Sequence, residues 1–471
     1  KPITKFSATI DDPEQIDIYL NKSYHSMFDS RPGPVWLDVP LDVQSKLINT
    51  EKIKKFIKKD RNKENKNTII KTLEKNIIKS SRPIIVIGNG IHISKSEKLF
   101  RIFLDKLNIP VISSWNASDI INSNHNLYVG RMGIFGDRAS NLAIEGADLI
   151  IVLGSRLSIP QTGYKTKVFA QKVKKIIIDI SRSELNKNKF SKVILKHQSD
   201  LNVFLKIANK YFEGRKIKQF KKWVGLLNYW KNKYPVMEKK YLKEKNGINS
   251  FHFIDSLSKS LKGNETIVTD MGTSFTCTMQ GFKIKNYNGQ RLFTSSGLAA
   301  MGFGLPGAIG GYFADKKSNI ICITGVGGLM FNIQELQTVS HYKIPMKIFI
   351  LENQGYLTMK IMQKKNFKRL VGSTKGSGIS FPNFKKIAKT FNLKYFKLQK
   401  NSIENQIKKI INLSTPALIE VNMPPEQPLI PRTQNKLLAD GTFYTPRLDD
   451  LYPHLSNSNL KNERLKAIKI K

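Results

Sequence analysis

The chain has 471 residues, which at ~150 residues per domain suggests about three domains. Hydrophobic residues make up 40% and charged residues 24%, a globular balance, and no stretch approaches the ~18 uninterrupted apolar residues of a membrane span. Lys+Arg is 78 against 36 Asp+Glu, a formal net charge of +42, but the lysines are spread along the whole length among Asn and Ile rather than gathered into an arm. Nucleic acid is therefore disfavoured as a partner, while a positive field would still attract anionic small molecules. Cys277 and Cys322 lie in or beside apolar stretches and have no metal-ligand spacing. They read as small buried residues, and a reducing cytoplasm fits them.

The first residues, Lys1-Pro2-Ile3-Thr4, resemble neither a signal peptide nor a natural start with Met, so further chain is expected upstream. Residues 1–45 end in PGPVWLDVPLDVQ, a strand and turn, and read as the last part of a domain that begins earlier. PIIVIGNG (83–90), IPVISSW (109–115), ADLIIVLGS (147–155) and VKKIIIDIS (173–181) are apolar runs without strict alternation. Such runs are buried on both faces, as in parallel sheets. Helical patterns such as SEKLFRIFLDKL (96–107) lie between them, so residues 50–210 are expected to form a doubly wound α/β domain. Residues 211–248 are charged, aromatic and strand-poor, a helical linker. Its Trp and Tyr residues among lysines either stack single-stranded nucleic acid or pack the linker on a domain. The βα rhythm resumes at 249 with TIVTD (266–270), SNIICITG (318–325), MKIFILEN (346–353) and ALIEVNM (417–423), a second α/β domain to 430. Residues 431–471 read as a polar tail ending in lysines.

Three glycine-rich turns are candidate anion sites. GNG at 88–90 is a weak signal, since position 93 is Ile and the dinucleotide fingerprint is incomplete. GRMGIFGDR (130–138) is either an anion-embracing loop or an ordinary one. ITGVGGLMFN (323–332) is more specific: Gly325, Gly327 and Gly328 open a helix after a strand, where backbone N–H groups attract phosphate. The next strand ends at Asn353, 353 − 326 = 27 positions on from Val326. In a parallel sheet the two should share one edge. A divalent cation on a diphosphate needs hard oxygen ligands. Asn353 and the Gly355 carbonyl offer two, and Val326 offers none.

GVG followed after that interval by Asn and GY resembles the GDG…NN motif of thiamine-diphosphate-dependent enzymes. RPGPVWLDVPLDVQ (31–44), TSSGLAAMGFGLPGAIG (294–310), FNIQELQTVSHYKIPMKIFILENQGY (331–356) and DGTFYTPRLDDLYP (440–453) are similar to the acetolactate synthase (acetohydroxyacid synthase) large-subunit branch. The resemblance covers nearly the whole chain. It implies two doubly wound parallel-sheet α/β domains, central and diphosphate-binding, preceded by the C-terminal remnant of a pyrimidine-binding α/β domain. It implies thiamine diphosphate and Mg²⁺ as cofactors, a 2-oxo acid as substrate and a homo-oligomer, dimer or tetramer. It places Met271, Gly272, Thr273 and Ser274 at the diphosphate, where the family's usual polar pair after the glycine is Gln-His. It places the Ala299 carbonyl at the cofactor's aminopyrimidine, and Met301 where a bulky side chain bends the cofactor. It assigns Gly325, Val326, Gly327 and Gly328 to the phosphate turn, Asn353 and Gly355 to Mg²⁺, and Tyr356 and Leu357 to the same site. The implied chemistry is cleavage of a 2-oxo acid beside its carbonyl, with CO₂ lost and the carbanion captured by a second carbonyl or a proton.

The chain departs from the family in four places. No residue of 1–45 matches the family's catalytic glutamate, and Glu14 is not at its position. Val326 replaces the metal-binding Asp, and Lys360 is the candidate for neutralising phosphate instead. Gln363 falls where the best-known acetolactate synthases carry a Trp. In the FAD-contacting Arg-x-x-x-Arg pattern Arg156 is present but Pro160 takes the second place, which leaves FAD open as a cofactor. The expected function is thus acetolactate synthase-like decarboxylation or carboligation. The alternatives are a related 2-oxo-acid decarboxylase or lyase of another pathway, such as a cell-surface sugar pathway, a non-catalytic chain that associates with an intact homologue, and a basic nucleic-acid-associated protein. Salt-dependent binding to DNA or RNA would single out the last.

Overall fold

The computed structural model of the chain describes residues 3–57, 66–187, 190–316, 319–437 and 440–470. The first two residues of the expected domain remnant and the last residue of the tail lie outside this range. Strands β1 (Phe6–Thr9) and β2 (Val35–Asp38) pair in parallel across the Ile16–Phe28 helix. Six strands follow: β3 (Pro83–Ile87), β4 (Val111–Ser113), β5 (Tyr128–Arg131), β6 (Leu149–Leu153), β7 (Lys174–Asp179) and β8 (Val193–Gln198). They form an all-parallel sheet in the order β5-β4-β3-β6-β7-β8. The direction of winding reverses between β3 and β6, and ligands of such sheets bind at that reversal, outside the carboxyl ends of the strands.

A second all-parallel sheet contains β9 (Glu265–Thr269), β10 (Arg291–Phe293), β11 (Asn319–Gly325), β12 (Lys347–Glu352), β13 (Lys394–Lys397) and β14 (Ala417–Asn422). Its order is β10-β9-β11-β12-β14-β13, with the reversal between β9 and β11. The apolar runs are continuous because both faces are covered. Ile321, Ile323, Phe349 and Leu351 enter the core on one side of the sheet, and Ile320, Cys322, Ile348 and Ile350 enter the core on the other. Cys277 and Cys322 are both fully buried thiols, and burial pushes the Cys277 thiol up to about 12.

Several elements differ from the expectation. Gly130 and Arg131 belong to strand β5, although 130–138 reads as a loop. The strand is four residues long and interrupted by a glycine, so it has no periodic signal. Strands β8 and β13 lie at sheet edges and carry exposed residues, which hides them from a search for apolar runs. The linker contains the Lys221–Lys233 helix, whose Trp223 and Trp230 are fully buried in the central core. This agrees with the packing alternative, and it removes both tryptophans as stacking platforms. The tail is not simply polar: its Asn457–Ile468 helix returns to the central core through Leu460 and Ala467. Buried Glu463 there accepts from Trp230 at 2.7 Å, Lys233 at 2.6 Å and Tyr234 at 3.1 Å. No described helix is long and apolar enough to cross a membrane.

Candidate functional site

At the β9/β11 reversal a cavity of about 420 Å³ opens over the carboxyl ends of the second sheet. Two strand-to-helix turns form its floor. After β9, Gly272 at φ 76° precedes the Thr273–Gly281 helix. Strand β11 passes into the Val326–Phe331 helix with no intervening residue. Both helices start without a side-chain cap, so their first N–H groups are free to face an anion. Of the residues expected at the site, Met271, Gly272, Thr273, Ala299, Met301, Gly325, Val326, Gly327, Gly328, Asn353, Gly355, Tyr356 and Leu357 line this cavity. Ser274 does not. Its hydroxyl donates to the Met271 carbonyl at 2.9 Å, and the side chain faces inward because it lies one position past the helix start.

The glycines are sterically required at three places. A Cβ on Gly327 would lie 1.8 Å from the Tyr356 ring, and one on Gly328 would lie 2.4 Å from an Asp270 oxygen. Gly355 has φ 153°, and a Cβ there would meet the Ser373 carbonyl at 2.1 Å. A Cβ on Gly325 meets nothing within 4 Å. Ala299 is held in the left-handed region at φ 59°. Its chain turns tightly there, with Ala299 N–H donating to the Ser295 carbonyl at 3.1 Å.

Asp270 was missed by the sequence reading. It is almost fully buried below the cavity, where it accepts from Met271 N–H at 2.7 Å, Gly302 N–H at 3.0 Å and the Thr324 hydroxyl at 3.0 Å. It thus joins the end of β9, the end of β11 and the loop that presents Ala299 and Met301. Burial pushes its carboxyl above the usual range, and these hydrogen bonds pull it back. A carboxylate at the end of the strand beside the reversal was the signal that could have revealed it.

The donor set fits a diphosphate better than it fits the cation. The Asn353 side-chain oxygen is buried without a partner, as expected of an oxygen kept for a ligand. Among the described residues no side chain lining the cavity is charged. Asp270 does not replace the missing carboxylate, because its oxygens are committed to the three donors above. No group of three or more His, Cys, Asp or Glu among the described residues could hold a metal ion. Asn353 and the Gly355 carbonyl therefore remain neutral donors, one carboxylate short. Lys360 does not supply charge to the cavity: it is buried against the Pro425 carbonyl and pairs with Glu426 at 3.3 Å. Gln363 is likewise turned away, bonded to the Val371 carbonyl at 2.9 Å.

A second cavity, about 550 Å³, sits at the β3/β6 reversal and includes Gly88, Gly90 and Gly154. The GNG glycines have a steric cause, since a Cβ on Gly88 would lie 2.2 Å from the Gly154 carbonyl oxygen. Arg156 lines this cavity but is paired with Glu184 at 2.9 Å, and Pro160 lines both cavities.

Residues 70–206 match the family profile described as "Thiamine pyrophosphate enzyme, central domain", and residues 270–421 match "Thiamine pyrophosphate enzyme, C-terminal TPP binding domain". The chain is 30% identical over 457 residues to the acetolactate synthase large subunit of Lactococcus lactis, covering 96% of this chain and 77% of that one. The chain belongs to the acetolactate synthase large-subunit-like family of thiamine pyrophosphate enzymes. The probable acetolactate synthase large subunit of Methanocaldococcus jannaschii is 30% identical over 91% of this chain and 73% of its own. The isozyme 1 large subunit of Escherichia coli is 28% identical over 91% and 74%. Thiamine diphosphate is the cofactor of this family's C-terminal domain, and most residues lining the first cavity lie within that matched region, with Trp115, Ile134, Phe135 and Pro160 coming from the matched central domain.

Proposed function

We propose that the chain takes part in thiamine-diphosphate-dependent cleavage of a 2-oxo acid beside its carbonyl, with transfer of the acyl unit as in acetolactate synthase. The observation that carries this reading is the juxtaposition of two uncapped helix starts, glycines that admit no Cβ, and the unpartnered Asn353 oxygen at one sheet reversal. The turns at Gly272–Thr273 and Gly325–Gly328 would hold the diphosphate through backbone N–H groups. Asn353 and Gly355 would contact a Mg²⁺ ion, Met301 would shape the cofactor from below, and the Ala299 carbonyl would accept from its amino group. Bound thiamine diphosphate supplies the electron sink that lets the bond to a carboxylate carbon break. The chain's own contribution is to bind, orient and exclude water, for which an uncharged lining is suited. Neither Arg156, already paired with Glu184, nor Pro160, which has no charge, would offer FAD a free cationic side chain.

Val326 is nearly fully buried at the place where the family carries a carboxylate. The test is calorimetric titration of thiamine diphosphate with Mg²⁺ into the chain and into Val326→Asp. Val326→Asp should bind at least tenfold tighter, a gain of about 1.4 kcal/mol from a charged ligand to the cation. Without Mg²⁺ the same variant should have a lower Tm, because it buries an unpaired carboxylate. Equal affinities would remove Val326 from the metal position, and no binding by either chain would overturn the cofactor reading. A second reading, a chain that keeps the site without turnover, is supported by the lack of any acidic side chain in the described lining. Pyruvate consumption by the unsubstituted chain would exclude it.

A further inference from the structure

Three tryptophans are buried in this chain: Trp115, Trp223 and Trp230. The fold gives two of them an acceptor. Trp223 Nε1–H donates to the Pro83 carbonyl at 3.0 Å, and Trp230 Nε1–H to Glu463 at 2.7 Å. Trp115 is 8% exposed, and its Nε1–H is buried with no partner. Leaving such a donor unmet is destabilising. A chain that satisfies the other two indoles but leaves this one open keeps it for something that binds.

Its position indicates what that is. Trp115, Pro160 and Ser296 line both cavities, so the indole stands in the throat between them. It is held firmly there. The residue opens a short turn after β4, and its ring meets Phe275 edge-on at a centroid distance of 4.6 Å. The neighbouring Asn116 is bonded to the Thr294 carbonyl at 2.9 Å and to Thr294 N–H at 3.2 Å. The donor is therefore fixed in place before any ligand arrives.

The donor is also neutral, and among the described residues no charged side chain lines the first cavity, whereas Arg31, Arg156, Asp179 and Asp200 line the second. This matters for the reaction proposed above, on which the inference rests. A carboxylate loses its charge as CO₂ departs. A cation beside it would stabilise the starting acid more than the transition state and so oppose the step. A neutral N–H in apolar surroundings orients the acid and leaves that charge poorly solvated. The adjoining Phe135, Met271 and Phe275 form an apolar wall suited to a methyl or short alkyl group. We propose that Trp115 determines substrate specificity, its indole N–H donating to the carboxylate of a short-chain 2-oxo acid in the throat between the cavities.

The full chain, labelled with ¹⁵N at its indoles and loaded with thiamine diphosphate and Mg²⁺, is titrated with pyruvate. The Trp115 indole resonance, assigned with Trp115→Phe, should move downfield with pyruvate and stay in place with acetaldehyde, which lacks the carboxylate. By calorimetry Trp115→Phe should bind pyruvate about tenfold more weakly and thiamine diphosphate equally well. It should keep its Tm, because the ring against Phe275 remains. An equal shift with acetaldehyde would overturn the assignment to the carboxylate. Pyruvate binding that leaves the resonance and the Trp115→Phe affinity unchanged would mean that the indole serves a water molecule; the inference would fall and the proposed function would stand. Cofactor binding to neither chain would remove the proposed function and this inference together.

Discussion

At the scale of single residues, the site depends on positions where one atom more would not fit. Gly327 and Gly325 belong to one turn but differ in their surroundings. A methyl group on Gly327 would overlap the Tyr356 ring, which is itself packed edge-on against Phe381, whereas the space beside Gly325 is open. Gly327→Ala should therefore lower stability by about 1–3 kcal/mol and weaken thiamine diphosphate binding, while Gly325→Ala should change stability by less than about 0.5 kcal/mol. Thermal unfolding of the two variants checks this, and equal Tm values would show that the Tyr356 ring moves aside freely. The turn glycines and Asn353 were legible in the sequence, because a strand, a glycine turn and a second strand end have a recognisable spacing. Asp270 and the open indole of Trp115 were not, because a buried carboxylate and an unmet donor are defined only by what surrounds them.

At the scale of elements, strand β5 and the Arg138–Gly146 helix carry a titrating joint between the two sheets. Asp137 precedes that helix and accepts from Arg131 N–H at 2.9 Å. The Arg131 side chain reaches across to the Gln280 carbonyl at 3.1 Å and the Phe282 carbonyl at 2.5 Å. Burial pushes the Asp137 carboxyl up to about 6, against the pull of Arg131 and Lys231. Its native pKa thus lies above the unfolded value, so between pH 4 and pH 6 the native state holds a proton that the unfolded state has lost. Stability from this group is present at low pH and is lost as pH rises through that window. Relative to Asp137→Asn, the wild type should lose about 2–3 kcal/mol between pH 4 and pH 7, read from denaturant midpoints at each pH. A difference that stays constant with pH would show that the carboxyl is already ionised at pH 4. The central strands of both sheets were readable as continuous apolar runs. The edge strands and β5 were not, since half-exposed or glycine-broken segments carry little periodicity.

At the scale of the whole molecule, two sheets place their winding reversals so that the two cavities meet at Trp115. Beside the first cavity, Leu298 is 92% exposed and Phe331 60% exposed, with Met301 also open to solvent. Apolar side chains in such numbers beside a site support the homo-oligomer expected of the family. Light scattering should give at least twice the chain mass of 53.7 kDa, and a monomer at micromolar concentration would remove that expectation. The charge of +42 remains a property of composition, with its lysines spread along the whole length and the linker tryptophans taken into the core. What the sequence determined alone was local. Apolar runs of strand length set two parallel sheets, and a glycine turn at a fixed distance from Asn353 set half of the candidate site. Strand order, the partners of Asp270, the inward face of the C-terminal helix and the throat at Trp115 were decided only in three dimensions. Each depends on contacts between segments far apart in the chain, for which neither propensity nor spacing carries a signal.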